Sequence, residues 1–119
     1  MNKFNKLVEE AKNTMEIYCL QDLDKWGYDC PLNADDAIFF LGGCWYTDIL
    51  VSAGYSVKTI ERKVENYDYG KLANKLDDWY KQEVYPKLVE ELKNRIPWLY
   101  EDALRKNRIK LNELKQINN

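Results

Sequence analysis

"AIFFLGGCWYTDIL", residues 37–50, is the most apolar stretch of the chain, and it contains a Gly-Gly pair followed at once by Cys-Trp. Whether it is a buried helix or the seat of a nucleophile decides how its surroundings fold and act. Asn33 stands just ahead of it, followed by Asp35 and Asp36. Asn is a strong N-cap, and carboxylates in a first turn complement the positive end of the helix dipole. The expected element is a helix over about 34–53. Ile38, Phe39, Phe40, Leu41, Trp45, Ile49, Leu50 and Val51 make it apolar on nearly every side. A helix of that kind is central and wrapped by others. Gly42 and Gly43 then read as a small-residue patch that lets a neighbouring helix approach closely.

Toward the N-terminus, Phe4, Leu7, Val8, Ala11, Met15, Tyr18 and Trp26 recur at mostly helical steps. They predict one amphipathic helix over 3–26, with Gly27 as its stop and "GYDCPLN" as the following loop. Toward the C-terminus, "GYSVKTIERKVENYDYG" (54–70) carries Val57, Ile60, Val64 and Tyr67 on a helical stripe behind a Ser56 N-cap. Its Val, Thr and Ile content leaves a short strand or hairpin over 55–65 as the alternative. From Asp68 onward, Leu72, Leu76, Trp79, Tyr80, Val84, Leu88 and Leu92 run at three- and four-residue steps. Pro86 lacks an N–H and crowds the preceding turn, which predicts a kink or break near Tyr85. Pro97 suits the first turn of a last helix with Leu99 or Tyr100, Ala103, Leu104, Leu111 and Leu114 on its apolar side. The expected fold class is all-α, a compact bundle of four to six helices forming one helical domain over 1–119.

The totals agree with this. Of 119 residues, 45% are apolar and sixteen are aromatic, with five Gly and three Pro, a globular rather than a disordered composition. The longest uncharged run, Ala37 to Thr47, is closed by Asp48 and is too short to span a bilayer. The opening residues lack the apolar core of a signal peptide, so a soluble, cytoplasmic protein is expected. Cys19, Cys30 and Cys44 are odd in number and form no CxxC pair. Reduced thiols are expected, rather than a zinc site or disulfides.

"LGGCW" (41–45) resembles the nucleophile segment of the papain-like cysteine proteases, C-G-[SA]-C-[WY]. Gly42, Cys44 and Trp45 match, whereas Leu41 and Gly43 depart from the pattern. The resemblance implies a thiol activated by a histidine, yet the chain contains no histidine. With the helix start placed ten residues earlier, Cys44 is expected to be an inert thiol packed on an apolar helix. Asp22 and Asp24, Asp35 and Asp36, and Asp77 and Asp78 offer carboxylate pairs for a metal-dependent reaction. Cap positions and polar helix faces account for most of them, and no Gly-rich phosphate loop is present. No catalytic residue, metal site or cofactor is expected; a cysteine-dependent or carboxylate-metal enzyme ranks last among the readings.

Charge distribution points instead to binding. Residues 1–50 hold nine acidic and four basic side chains, and residues 51–119 hold eleven acidic and fourteen basic. Glu9, Glu10, Glu16, Asp22, Asp24, Asp29, Asp35 and Asp36 form a candidate acidic face for a partner. Trp26, Tyr28, Trp98 and Tyr100 lie near loops and are candidate aromatic anchors. Arg105, Lys106, Arg108 and Lys110, in the basic last helix, are candidate phosphate contacts. The expected function is that of a non-enzymatic protein–protein interaction module or inhibitor. Size and composition are like those of phage or mobile-element accessory proteins, such as anti-CRISPR or anti-restriction factors. The expected partner is another protein or a nucleoprotein complex, with no membrane. The alternative is a nucleic-acid-binding regulator working through the basic C-terminal helix.

Overall fold

The computed structural model describes residues 2–26 and 30–109. It is all-α. Helix α1 (Lys3–Gln21) opens at Asn2, whose side chain accepts from the Asn5 amide at 2.7 Å. It buries Leu7, Val8, Ala11, Met15 and Cys19, one residue per turn along a single stripe. The one-turn α2 (Leu23–Trp26) follows. Next come α3 (Ala34–Ser52), α4 (Val57–Glu65) and α5 (Gly70–Trp79). A π-helical turn (Tyr80–Val84) joins α5 to α6 (Tyr85–Arg95), and α7 (Pro97–Arg105) completes the described chain. Counting α5, the π turn and α6 as one continuous run gives six helical stretches. They pack around one cluster of buried side chains, with α3 against α1, α4 and α5, and α6 against α1, α2 and α7.

Five expectations are decided by the structure. The helix over 3–26 breaks at Asp22, the C-cap of α1, where side chains from beyond α1 bond carbonyls of its last turn. Trp26 Nε1 donates to the Tyr18 carbonyl at 3.4 Å, and Arg95 Nη1 donates to that of Leu20 at 2.9 Å. The strand or hairpin alternative for 55–65 is replaced by α4, whose N-cap Ser56 accepts from the Thr59 amide. Near Pro86 the expected kink or break takes the form of a π turn without a gap in the helical run. The π turn, closed by the Tyr85 amide on the Tyr80 carbonyl, lets α6 restart with Pro86 in its first turn, where a missing N–H costs little.

The fourth concerns the opening segment. Asn33 does cap α3, accepting from the Asp36 amide at 2.8 Å, as expected. However, Gly42 stands inside α3 at φ 87° and ψ 173°, a backbone conformation essentially confined to glycine. The helix therefore restarts at Gly43, and it is not wrapped on all sides: Phe39, Phe40 and Val51 are exposed. Close helix approach is not the role of Gly42, since a Cβ there would meet nothing within 4 Å. At Gly43 it would meet Val64 Cγ1 of α4 at an ordinary 3.7 Å. Cys44, expected in the core, is exposed, whereas Cys19 and Cys30 are buried.

The fifth is α7, which stops at the start of the basic segment; the expected Leu111 and Leu114 lie outside the described residues. It ends at Arg105 in a Schellman turn: Asn107 takes a left-handed φ of 60°, and the Arg108 amide reaches back to the Ala103 carbonyl at 2.8 Å. Gly54 and Tyr67 close α3 and α4 in the same way, with Tyr55 bonded to Leu50 and Asp68 to Lys63. Tyr67 is the unusual member, a bulky side chain at φ 50° that is 70% exposed. Left-handed backbone is unfavourable for an L-residue with a Cβ. Tyr67→Gly is therefore expected to raise stability by about 1 kcal/mol in urea denaturation. A loss of stability would mean that the tyrosine ring contributes more to packing than its backbone conformation costs.

Candidate functional site

The break at Gly42 sets up a groove. Tyr18, Asp22, Lys25 and Trp26 approach from the α1–α2 corner, and Phe40, Leu41, Trp45 and Asp48 come from the two halves of α3. Together they line a cavity of about 480 Å³. Trp26 and Phe40 meet edge to face, with ring centroids 6.0 Å apart and planes at 62°. That arrangement is favourable for two aromatic quadrupoles, and each ring holds the other's orientation. Trp45 is 8% exposed, and its Nε1–H, shut away from solvent, meets no acceptor among the described residues.

The corner that carries Trp26 is clamped from α6. Besides its bond to Leu20, Arg95 donates through Nη2 to Asp24 Oδ2 at 2.8 Å, and Glu91 Oε2 lies 3.7 Å from Nη1. Asp22 and Asp48 border the groove, and Lys25 Nζ lies 3.7 Å from Asp22 Oδ1 with a largely exposed side chain. The local balance is one negative charge in a concave aromatic setting.

Other members of the expected acidic face lie elsewhere. Glu9 and Glu10 are exposed on α1. Glu16 accepts from Lys87 of α6 at 2.8 Å, and this hydrogen bond raises the affinity of the Lys87 amine for its proton. Asp24 is engaged by Arg95. Asp36 is tied to the Asn33 cap, while Asp35 borders a second, shallow cavity with Asn33, Asp77 and Lys81. Asp29, Tyr28 and Lys110 lie outside the described residues. Of the expected acidic and aromatic residues that are described, Asp22 and Trp26 alone line the groove.

At the other end, Trp98 is 60% exposed, and Tyr100 is half-buried against the core. Asp102 sits between Arg105 and Lys106, pairing with both, the latter at 3.1 Å. The hydrogen bond from Lys106, then that from Arg105, holds the Asp102 carboxyl below its usual range. Two of the four expected phosphate contacts are thus already answered by an internal carboxylate, and Arg108 is half-buried beyond the Schellman turn. Among the described residues no group of three or more His, Cys, Asp or Glu side chains could hold one metal ion.

Tyr18, Phe40, Trp45 and Asp48 were not singled out as binding residues from the sequence. The available signal was Gly42-Gly43 itself, since a glycine pair inside a helical pattern also marks a break. Comparison with protein-family models, with curated proteins and with solved structures found no match.

Proposed function

We propose that this protein is a non-enzymatic interaction module that docks a basic segment of another protein in the groove between the α1–α2 corner and α3. What supports the reading is the groove itself: aromatic walls from Tyr18, Trp26 and Phe40, with the Asp22 and Asp48 carboxylates beside them. Aromatic side chains bring large contact area at low entropic cost, and clustered carboxylates steer and orient a cationic partner. An inhibitor of a nucleic-acid-processing complex is the concrete form this would take in the cytoplasm, because such complexes present basic grooves to their nucleic acid. The pairing of Arg105 and Lys106 with Asp102 weighs against the basic end as the working surface.

The test is affinity capture from nuclease-treated lysate with the wild type and with the Asp22→Lys/Asp48→Lys double variant, scored beside a DNA titration at low salt. The expected result is a protein partner whose retention falls by about tenfold or more in the double variant. A partner retained equally by both proteins sinks the groove reading. DNA binding that collapses on Arg105→Ala/Arg108→Ala replacement would establish the regulator instead.

A further inference from the structure

We infer that the groove takes an arginine side chain from its partner, the guanidinium lying on the aromatic wall of Trp26 and Phe40 and hydrogen-bonding to the carboxylates of Asp22 and Asp48. This inference rests on the protein-binding reading above and specifies its occupant. Three observations carry it.

The first is charge. Asp22 and Asp48 stand against a single local cation, Lys25, whose side chain is 82% exposed and 3.7 Å from Asp22. An ion pair that long and exposed contributes little, so an incoming cation displaces Lys25 at small cost. The second is the wall. Trp26 and Phe40 are half-buried and exposed, respectively, and each fixes the other through its edge-to-face contact. A preformed wall of this kind binds without first losing rotamer freedom. Elsewhere the chain already seats its own cations on rings: Lys71 Nζ lies 4.6 Å from the Phe4 centroid and Lys12 Nζ 5.7 Å from that of Trp79. The third is shape. A cavity of about 480 Å³ accommodates a long side chain with its flanking backbone.

Arginine fits this combination better than lysine. Its guanidinium is planar and weakly hydrated, stacks on aromatic rings and offers a fork of donors to carboxylates. The lysine ammonium is a compact, strongly hydrated charge that satisfies one carboxylate at a time. Two carboxylates beside an aromatic wall therefore select the fork.

The probes are capped pentapeptides Gly-Gly-Xaa-Gly-Gly with Xaa as arginine, lysine or citrulline, the last matching arginine in shape without its charge. The readout is the NMR shift of the tryptophan indole N–H signals, assigned by single Trp→Phe variants, with Trp98, which does not line the groove, as reference. The arginine peptide is expected to move the Trp26 and Trp45 signals and leave that of Trp98 in place. It should bind about fivefold tighter than the lysine peptide and about tenfold tighter than the citrulline peptide. Asp48→Asn, at an exposed position that leaves the fold intact, should reduce its affinity by about fivefold. Equal responses to arginine and citrulline, or movement of Trp98 alone, would overturn the inference. Preference for lysine would also overturn it while leaving a basic-segment partner in place; the protein-binding reading itself fails only through the capture experiment.

Discussion

Gly42→Ala is expected to lower the unfolding free energy by about 2–3 kcal/mol, read as a fall in the urea midpoint with an unchanged slope. The reason is backbone conformation alone. At φ 87° and ψ 173° any Cβ is strained, although the space around it is open for 4 Å. The neighbouring Gly43 supplies the control. It has helical backbone, and a Cβ there would touch only Val64 Cγ1 at 3.7 Å. Gly43→Ala should therefore be neutral or stabilising by up to about 0.5–1 kcal/mol, because alanine loses less chain entropy in a helix. Two adjacent glycines thus give opposite signs. If both substitutions cost the same, the break is not held at Gly42, and the packing of two half-helices around it is wrong. The same variant bears on the groove. Straightening α3 through residue 42 would rotate Phe40 relative to Trp45 and Asp48, so groove binding should weaken along with stability.

Alkaline pH is expected to unfold the protein through groups buried in its centre. Cys19 is fully buried, and burial pushes its thiol up to about 11 from an ordinary 9.0, partly offset by a hydrogen bond with Tyr80. Tyr46 is pushed up to about 12, chiefly by burial and then by the charge of Asp68. Its hydroxyl donates to the Asp68 carbonyl at 2.6 Å. Tyr80 is raised as well, first by burial, and donates to the Pro31 carbonyl at 2.7 Å. Each folded pKa lies above its unfolded value, so the native state keeps the proton longer than the unfolded chain does. The stabilisation is complete below the unfolded pKa and is lost as pH rises through the folded one. For Cys19 that window is pH 9 to 11, and its loss amounts to about 2–3 kcal/mol. Tyr46 adds its own decline between pH 10 and 12.

With no histidine in the chain, stability measured in urea should be level across the neutral range and fall steeply above pH 9. Cys19→Ala should move the onset upward by about one pH unit, to where the tyrosines begin to ionise. An onset that stays at pH 9 in that variant would remove Cys19 from the account.

Most elements of this fold follow from local chemistry. Asn33 and Ser56 cap α3 and α4 where their side chains predict, and Pro97 opens α7. Leu7, Val8, Ala11 and Met15 of the apolar stripe of α1 are buried, whereas Tyr18 of the same stripe is exposed. What was not legible locally are the interruptions. The corner at Asp22 depends on Arg95, seventy-odd residues away, reaching the Leu20 carbonyl. A disturbance before Pro86 was legible, but not its form, a π turn opening at Tyr80, whose hydroxyl meets the Pro31 carbonyl across the core. The candidate site was legible only in Asp22 and Trp26; Tyr18 read as part of the apolar stripe of α1, and Phe40, Leu41 and Trp45 belong to a helix whose apolar residues read as core.

The sequence by itself determined the class of the protein: an all-α chain with capped helices, no histidine, and its net negative charge in residues 1–50. Periodicity and capping act over a few residues, so they survive without knowledge of the partners. Only the tertiary structure decided which apolar residues face water. Phe39 and Phe40 are as apolar as Ile38 and Leu50, yet α3 turns Ala34, Ala37 and Ile38 to the core and leaves the two phenylalanines exposed. "LGGCW" thus holds no close helix crossing at Gly42; it is the break in α3 beside the groove.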